Sequence, residues 1–181
     1  MKNESTVKFV LRLALTLLII TSVVAVALAG VNMITEPAIE ALNAQKTQDA
    51  IEMVLPGGGE EIDFPETALV SKVYASDAGY AVEVTPGGFD NTITMMVGVD
   101  KAGTVLGISI IKHTETAGLG AVAAAGTPAG ESFRGQFVGA SGSVAVTKDG
   151  GTMDAITGAT ITSRAICAGV NAALECVAAM G

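Results

Sequence analysis

The residues best placed to do chemistry lie in one stretch, Asp154-Ala155-Ile156-Thr157-Gly158-Ala159-Thr160-Ile161-Thr162-Ser163, where a loop runs into an apolar C-terminal segment. The first backbone N–H groups of a helix lack partners within it and sit at the positive end of its dipole, so an anion is favoured there. Gly158 and Ala159 leave little side chain to keep a large group from the backbone, and the hydroxyls of Thr157, Thr160 and Thr162 flank them. The stretch can therefore seat a phosphate with an available hydroxyl beside it. It can equally be a plain helix N-cap, for which Ser and Thr are common, and residue types alone leave both descriptions open.

Other chemistry is excluded more easily. Cys167 and Cys176 stand nine positions apart in a helical pattern, so at about 100° per residue they point to opposite sides and cannot bridge. Two such cysteines and the single His113 make no metal-ligand set, and both thiols read as small core residues. The chain has no Gly-x-Gly-x-x-Gly dinucleotide fingerprint and no iron–sulfur cysteine spacing. With Lys+Arg 10 against Asp+Glu 18 and a net charge of −8, it offers no basic face for nucleic acid.

The elements that must position the threonines follow from periodicity. Residues 68–75, 80–85, 93–99 and 105–112 are rich in β-branched side chains and separated by short Gly-, Pro- and Asp-containing turns. Short connections make antiparallel neighbours, and the alternation of Tyr80, Val82 and Val84 and of Ile93, Met95, Val97 and Val99 predicts one buried face. Residues 114–143 read as a Gly- and Ala-rich loop, and residues 143–147 as a further short strand. Residues 161–180 are apolar nearly all round and predict a buried terminal helix. Strands followed by a helix, without βαβ alternation, make an α+β domain.

Ahead of this domain, residues 13–31 are nineteen positions without a charge, fifteen of them Leu, Ile, Val or Ala. At about 1.5 Å per residue such a helix nearly spans a hydrocarbon core of roughly 30 Å. Ala27-Leu28-Ala29 offers a signal-peptidase pattern, but the run exceeds the roughly 7–15 residues of a signal h-region, so a retained anchor is expected. Lys2, Lys8 and Arg12 precede the run against Glu4, and beyond Arg12 seven basic face seventeen acidic residues, a balance of −10. The positive-inside rule then places the N-terminus in the cytoplasm and the domain outside the cell membrane. Thr35 reads as the N-cap of a second helix, with Glu36 and Pro37 in its first turn, running to about Leu55.

Two stretches carry a family resemblance. Asp154-Ala155-Ile156-Thr157-Gly158-Ala159-Thr160 resembles the Asp-x-x-Ser/Thr-Gly-Ala-Thr signature of proteins holding FMN through a phosphoester to threonine. Residues 107–120, ending Lys112-His113-Thr114-Glu115-Thr116-Ala117-Gly118-Leu119-Gly120, resemble that family's strand followed by His-x-Glu-Thr-Pro-Gly-Leu-Gly, with Ala117 in place of Pro. That exchange frees φ at one loop position but removes no functional group. The compact, single-anchor form is most similar to G subunits of Rnf electron-transport complexes, and is similar also to C subunits of sodium-pumping NADH:quinone reductases.

The resemblance implies one transmembrane helix followed by an antiparallel-sheet FMN-binding domain with a buried C-terminal helix. It implies residues 1–12 as a cytoplasmic N-terminus, 13–35 as the membrane helix in contact with lipid, 36–66 as a helical linker region and 67–181 as the covalent-FMN domain. Thr160 would carry the flavin, esterified by a dedicated flavin transferase with FAD as donor. Asp154, Thr157, Gly158 and Ala159 would position the acceptor, and Glu115, Thr116, Leu119 and Gly120 would lie near the flavin, Leu119 covering its ring and Thr116 bonding its polar edge. No residue would be catalytic apart from the flavin. The chain would then be an electron-carrier subunit, incomplete as an enzyme alone, among other subunits coupling electron transfer between ferredoxin and NAD to Na⁺ or H⁺ translocation. A membrane-anchored binding or scaffolding module, its threonine-rich loop only a helix cap, is the competing expectation.

Overall fold

The structure, a computed structural model, describes residues 2–65 and 67–180, with side chains from Thr6 onward. Met1, at the start of the expected cytoplasmic segment, and Glu66, at the expected linker boundary, lie outside the described residues, as do the side chains of Lys2 and Glu4. Two compact units are present, Met1–Ala44 and Gln45–Gly181.

The described residues of the first unit are helical throughout. Helix α1 runs over Lys2–Val54, and its most apolar window has a mean hydropathy of 2.5 with none of it buried in protein. A helix this long, apolar and uncovered is a membrane anchor. The expected restart at Thr35 is not found. Pro37 lies inside the helix, and the Thr35 hydroxyl donates to the carbonyl of Val31 at 3.0 Å, as a threonine within a helix does, instead of capping a new one. Helix formers on both sides outweigh the single N–H that proline removes.

The second unit is the expected α+β domain. Strands β1 (Glu60–Ile62), β2 (Val70–Ala75), β3 (Gly79–Val84), β4 (Thr94–Asp100) and β5 (Val105–Lys112) form one antiparallel sheet in sequence order. Tyr80 faces Val99 across β3–β4, and Met95 faces Ile110 across β4–β5. After β5 come a 3₁₀ turn over Gly120–Ala124, helix α2 (Pro128–Gly135), a second 3₁₀ turn over Thr147–Asp149 and helix α3 (Thr160–Met180).

Helix α3 is the buried terminal helix. It too is apolar enough for a membrane, but 67% of its apolar window is buried. Ile166, Val170, Ala173 and Val177 pack with Val82, Val84, Met95, Val97 and Val99 of the sheet. Cys167 and Cys176 are free and buried, as expected, and burial pushes the Cys167 thiol up to about 11.

Three local expectations are corrected. The sheet buries both faces at its centre, because Ala50, Ile51 and Val54 at the end of α1, with Leu55 just beyond it, cover Tyr74, Ala81 and Met96 on the side away from α3. Residues 143–147 form no strand. The side-chain amide of Asn171 takes both the N–H and the carbonyl of Val144, at 2.8 and 2.9 Å, and the backbone pairing beyond it is confined to an isolated bridge between Val146 and Met153. The loop over 114–143 contains α2, whose start carries a local signal: Thr127 accepts from the Gly130 N–H at 3.3 Å, with Pro128 in the first turn.

One titration follows from the sheet. Glu83 lies half-buried opposite Lys72, and burial raises its carboxyl above the ordinary 4.5 despite the lysine. A raised carboxyl contributes stability below pH 4.5 that is lost as pH rises through its folded value. Glu83→Gln should therefore raise the melting temperature at pH 7 and leave it unchanged near pH 4, as checked by thermal melts at both pH values.

Candidate functional site

A cavity of about 280 Å³ opens where the two sequence motifs meet. From the loop after β5 it takes Glu115, Thr116, Leu119 and Gly120, and from the start of α3 it takes Gly158, Ala159, Thr160, Ile161 and Thr162, with Phe89 and Lys148 completing the wall. Of the residues expected to position the acceptor, Asp154 and Thr157 are both exposed and do not line it.

The threonines divide the work. Thr162 is buried and donates its hydroxyl to Glu115 Oε2. Thr160 is half-buried, and its hydroxyl oxygen accepts from the Lys148 ammonium at 3.2 Å. Ser163, in the first turns of α3, holds the approach to the helix instead: its hydroxyl accepts from the Ile156 N–H and donates to the Ala159 carbonyl, both at 3.0 Å. Thr160 faces the cavity with a cation beside it.

Glu115 is buried, and its other oxygen, Oε1, accepts from the Phe89 backbone N–H at 2.8 Å. Both carboxylate oxygens are spent on the protein, so Glu115 joins the turn at Phe89 to the first turn of α3. Gly120 packs directly on this junction: a Cβ there would collide with Glu115 and with the Thr162 hydroxyl. Gly158 adopts φ +77°, a conformation that favours glycine, and a Cβ on it would come within 3.0 Å of Leu119.

Lys148 is placed by its neighbour. Asp149 makes a two-pronged ion pair with Arg164 of α3, at 2.7 and 2.6 Å, and the guanidinium holds the Asp149 carboxyl below its ordinary value. Gln136 clamps the backbone of Asp154, its Oε1 accepting the N–H at 2.7 Å and its Nε2 donating to the carbonyl at 3.3 Å. Neither Lys148 nor Gln136 carries a sequence signal, because each acts through partners far along the chain. His113 lies off the cavity, in a groove with Lys46, Asp49 and Ser109, and its Nδ1 has no hydrogen-bond partner. No metal-binding group occurs among the described residues.

Comparison with known proteins bears on this arrangement. The chain is 31% identical to the G subunit of the ion-translocating oxidoreductase complex of Methanosarcina acetivorans, over 95% of this chain and 96% of that one. It is 33% identical to the G subunit of the Na⁺-translocating ferredoxin:NAD⁺ oxidoreductase complex of Acetobacterium woodii, over 93% and 91% of the two chains.

The chain belongs to the family of G subunits of ion-translocating oxidoreductase complexes. A further G subunit, from the proton-translocating ferredoxin:NAD⁺ oxidoreductase complex of Clostridium ljungdahlii, is 32% identical over 82% of this chain and 80% of its own length. Residues 88–175 match the FMN-binding domain family, a span that begins one residue before Phe89 and takes in every residue lining the cavity. The residues present suit FMN. A free hydroxyl, an ammonium 3.2 Å from it, a side-chain-free approach at Gly158 and the apolar Leu119 and Ile161 are what a phosphate-bearing planar ring requires. Members of this family are parts of larger oxidoreductase complexes, and this chain is accordingly one component of such a complex, not a standalone enzyme.

Proposed function

We propose that this G subunit carries FMN esterified to Thr160 and relays electrons in a membrane complex that couples ferredoxin oxidation and NAD reduction to Na⁺ or H⁺ movement. The observation that supports it most is the Thr160 hydroxyl, presented to the cavity beside Lys148. A flavin transferase would supply the FMN moiety from FAD: the Thr160 oxygen bonds to the FMN phosphorus, the phosphoanhydride breaks, AMP leaves and the hydroxyl proton passes to solvent.

Bound FMN supplies reversible one- and two-electron chemistry. The protein's own part is placement and electrostatics. Lys148 neutralises the phosphodiester, and the N–H groups at the start of α3 favour the same charge. Leu119 covers the ring, Thr116 bonds its polar edge, and the backbone of Asp154, Thr157, Gly158 and Ala159 presents the acceptor. The relatives named for Na⁺ and for protons match this chain about equally, so the proposal covers both ions.

Intact-protein mass spectrometry tests the site. The full chain co-expressed with a flavin transferase should gain the mass of one FMN less one water, and Thr160→Ala should abolish the gain. A modified Thr160→Ala chain would sink the assignment, and an unmodified parent chain would return the threonine loop to a mere helix cap.

The orientation is part of the proposal. Lys8 and Arg12 before the apolar run, against the acidic remainder, put the FMN domain on the extracytoplasmic side, among neighbouring subunits and membrane lipid. A reporter active only outside the cytoplasm, fused after Val31, should be active, and its silence beside an active cytoplasmic reporter at the same position refutes the topology.

A further inference from the structure

We propose that Phe89 is the aromatic wall against which the flavin ring packs, an inference that rests on FMN occupying the cavity at Thr160. Phe89 is 67% exposed yet lines that cavity. The aromatic pair found among the described residues is Phe133–Phe137, so the Phe89 ring has no ring partner among them. Leu119 and Ile161, 43% and 50% exposed, complete an apolar rim around the same opening.

An exposed aromatic on a mobile loop would mean little, but this one is held. Its N–H is bonded to Glu115 Oε1 at 2.8 Å, and the preceding Gly88 donates its N–H to the Asn91 carbonyl at 2.7 Å. A Cβ on Gly88 would collide with Glu115 and Asn91, so the turn is built hard against the carboxylate. Glu115 meanwhile accepts from Thr162, two residues beyond the attachment hydroxyl. A single buried carboxylate therefore fixes the backbone that carries the aromatic ring relative to the first turn of α3 and Thr160. What fits between them is a flat, uncharged heteroaromatic ring tethered through a phosphate, since aromatic faces favour offset stacking or edge contact with such rings. Glu115, with both oxygens engaged by the protein, acts as a positioning residue for Phe89 and α3.

The test uses the full chain co-expressed with a flavin transferase, as parent, Phe89→Ala, Phe89→Leu and Phe89→Trp. Because the ring is mostly exposed, all four should keep the parent's melting temperature, and intact mass should show FMN on each. The discriminating readout is flavin fluorescence and its quenching by iodide. Phe89→Ala should raise the iodide quenching constant roughly 2-fold or more, the lower end of the roughly 2- to 13-fold that an aromatic pair contributes to a packed-to-free ratio. Phe89→Leu should fall between Ala and the parent, and Phe89→Trp should dim the emission several-fold, because an indole in ring contact quenches an excited flavin by electron donation. Loaded Ala and Trp variants with the parent's quenching and emission would overturn the proposal. Absence of the mass gain in the parent chain overturns the underlying reading instead, and the proposal with it.

Discussion

Glu115→Ala should lower the stability of the domain by roughly 2–5 kcal/mol, seen as a fall in melting temperature of about 5–15 °C. The carboxylate accepts from the Phe89 N–H and from the Thr162 hydroxyl, and it is buried. Removing it orphans two donors, each costing about 1–3 kcal/mol when left unpaired away from water, and leaves a void beside Gly120. Glu115→Gln separates hydrogen bonding from charge. Its carbonyl still accepts from Phe89, and Thr162 rotates to accept from the new amide, so both contacts survive in weaker neutral form. The glutamine chain should lose only about 1 kcal/mol. Equal losses for Ala and Gln would show that the carboxylate's charge, and not its two contacts, carries the stability.

That contact illustrates where the sequence stops being legible. The strands, the apolar terminal helix and the membrane segment are written in local composition: β-branched runs between Gly and Pro turns, a helix apolar on nearly every face, nineteen uncharged residues after a basic flank. Both site motifs could be read as well, down to the threonine that faces the cavity. The bonds that assemble the site span 47 residues for Thr162–Glu115, 26 for Phe89–Glu115, 18 for Gln136–Asp154 and 12 for Lys148–Thr160. Side chains that meet across such separations obey no 2.0 or 3.6 period, so neither Phe89 nor Lys148 stood out.

The misread elements have the same cause. Residues 143–147 alternate like a strand because Val144 and Val146 do face the core, but Asn171, 27 residues on from Val144, takes that residue's backbone bonds and only an isolated bridge at Val146 remains. The sheet's second face is buried by the last turns of α1, which come from outside the strand region altogether. Periodicity reports which side chains are inside and leaves open what covers them.

Phe137→Ala should be the most damaging core truncation near the site, at about 3–5 kcal/mol. Phe137 is fully buried and meets Phe133 edge-to-face, ring centres 5.5 Å apart at 76°, so its loss forfeits both burial and an aromatic pair. The consequence reaches the candidate flavin site through two neighbours. Gln136 holds the Asp154 backbone by two bonds, and Arg134 donates to the Ala123 and Ala125 carbonyls at 2.6 and 3.0 Å, fastening α2 to the 3₁₀ turn that begins at Gly120. Phe137 is the apolar peg beside both. Phe137→Leu keeps most of the volume and should cost about 1.5 kcal/mol or less, leaving the clamp on Asp154 in place. Thermal melts should therefore rank parent, Leu, Ala, with the alanine chain down by about 10 °C or more, and amide hydrogen exchange should show Asp154 faster in the alanine chain alone. An alanine chain with the parent's melting temperature would mean that the Phe133–Phe137 cluster is not the part of the core that holds the site together.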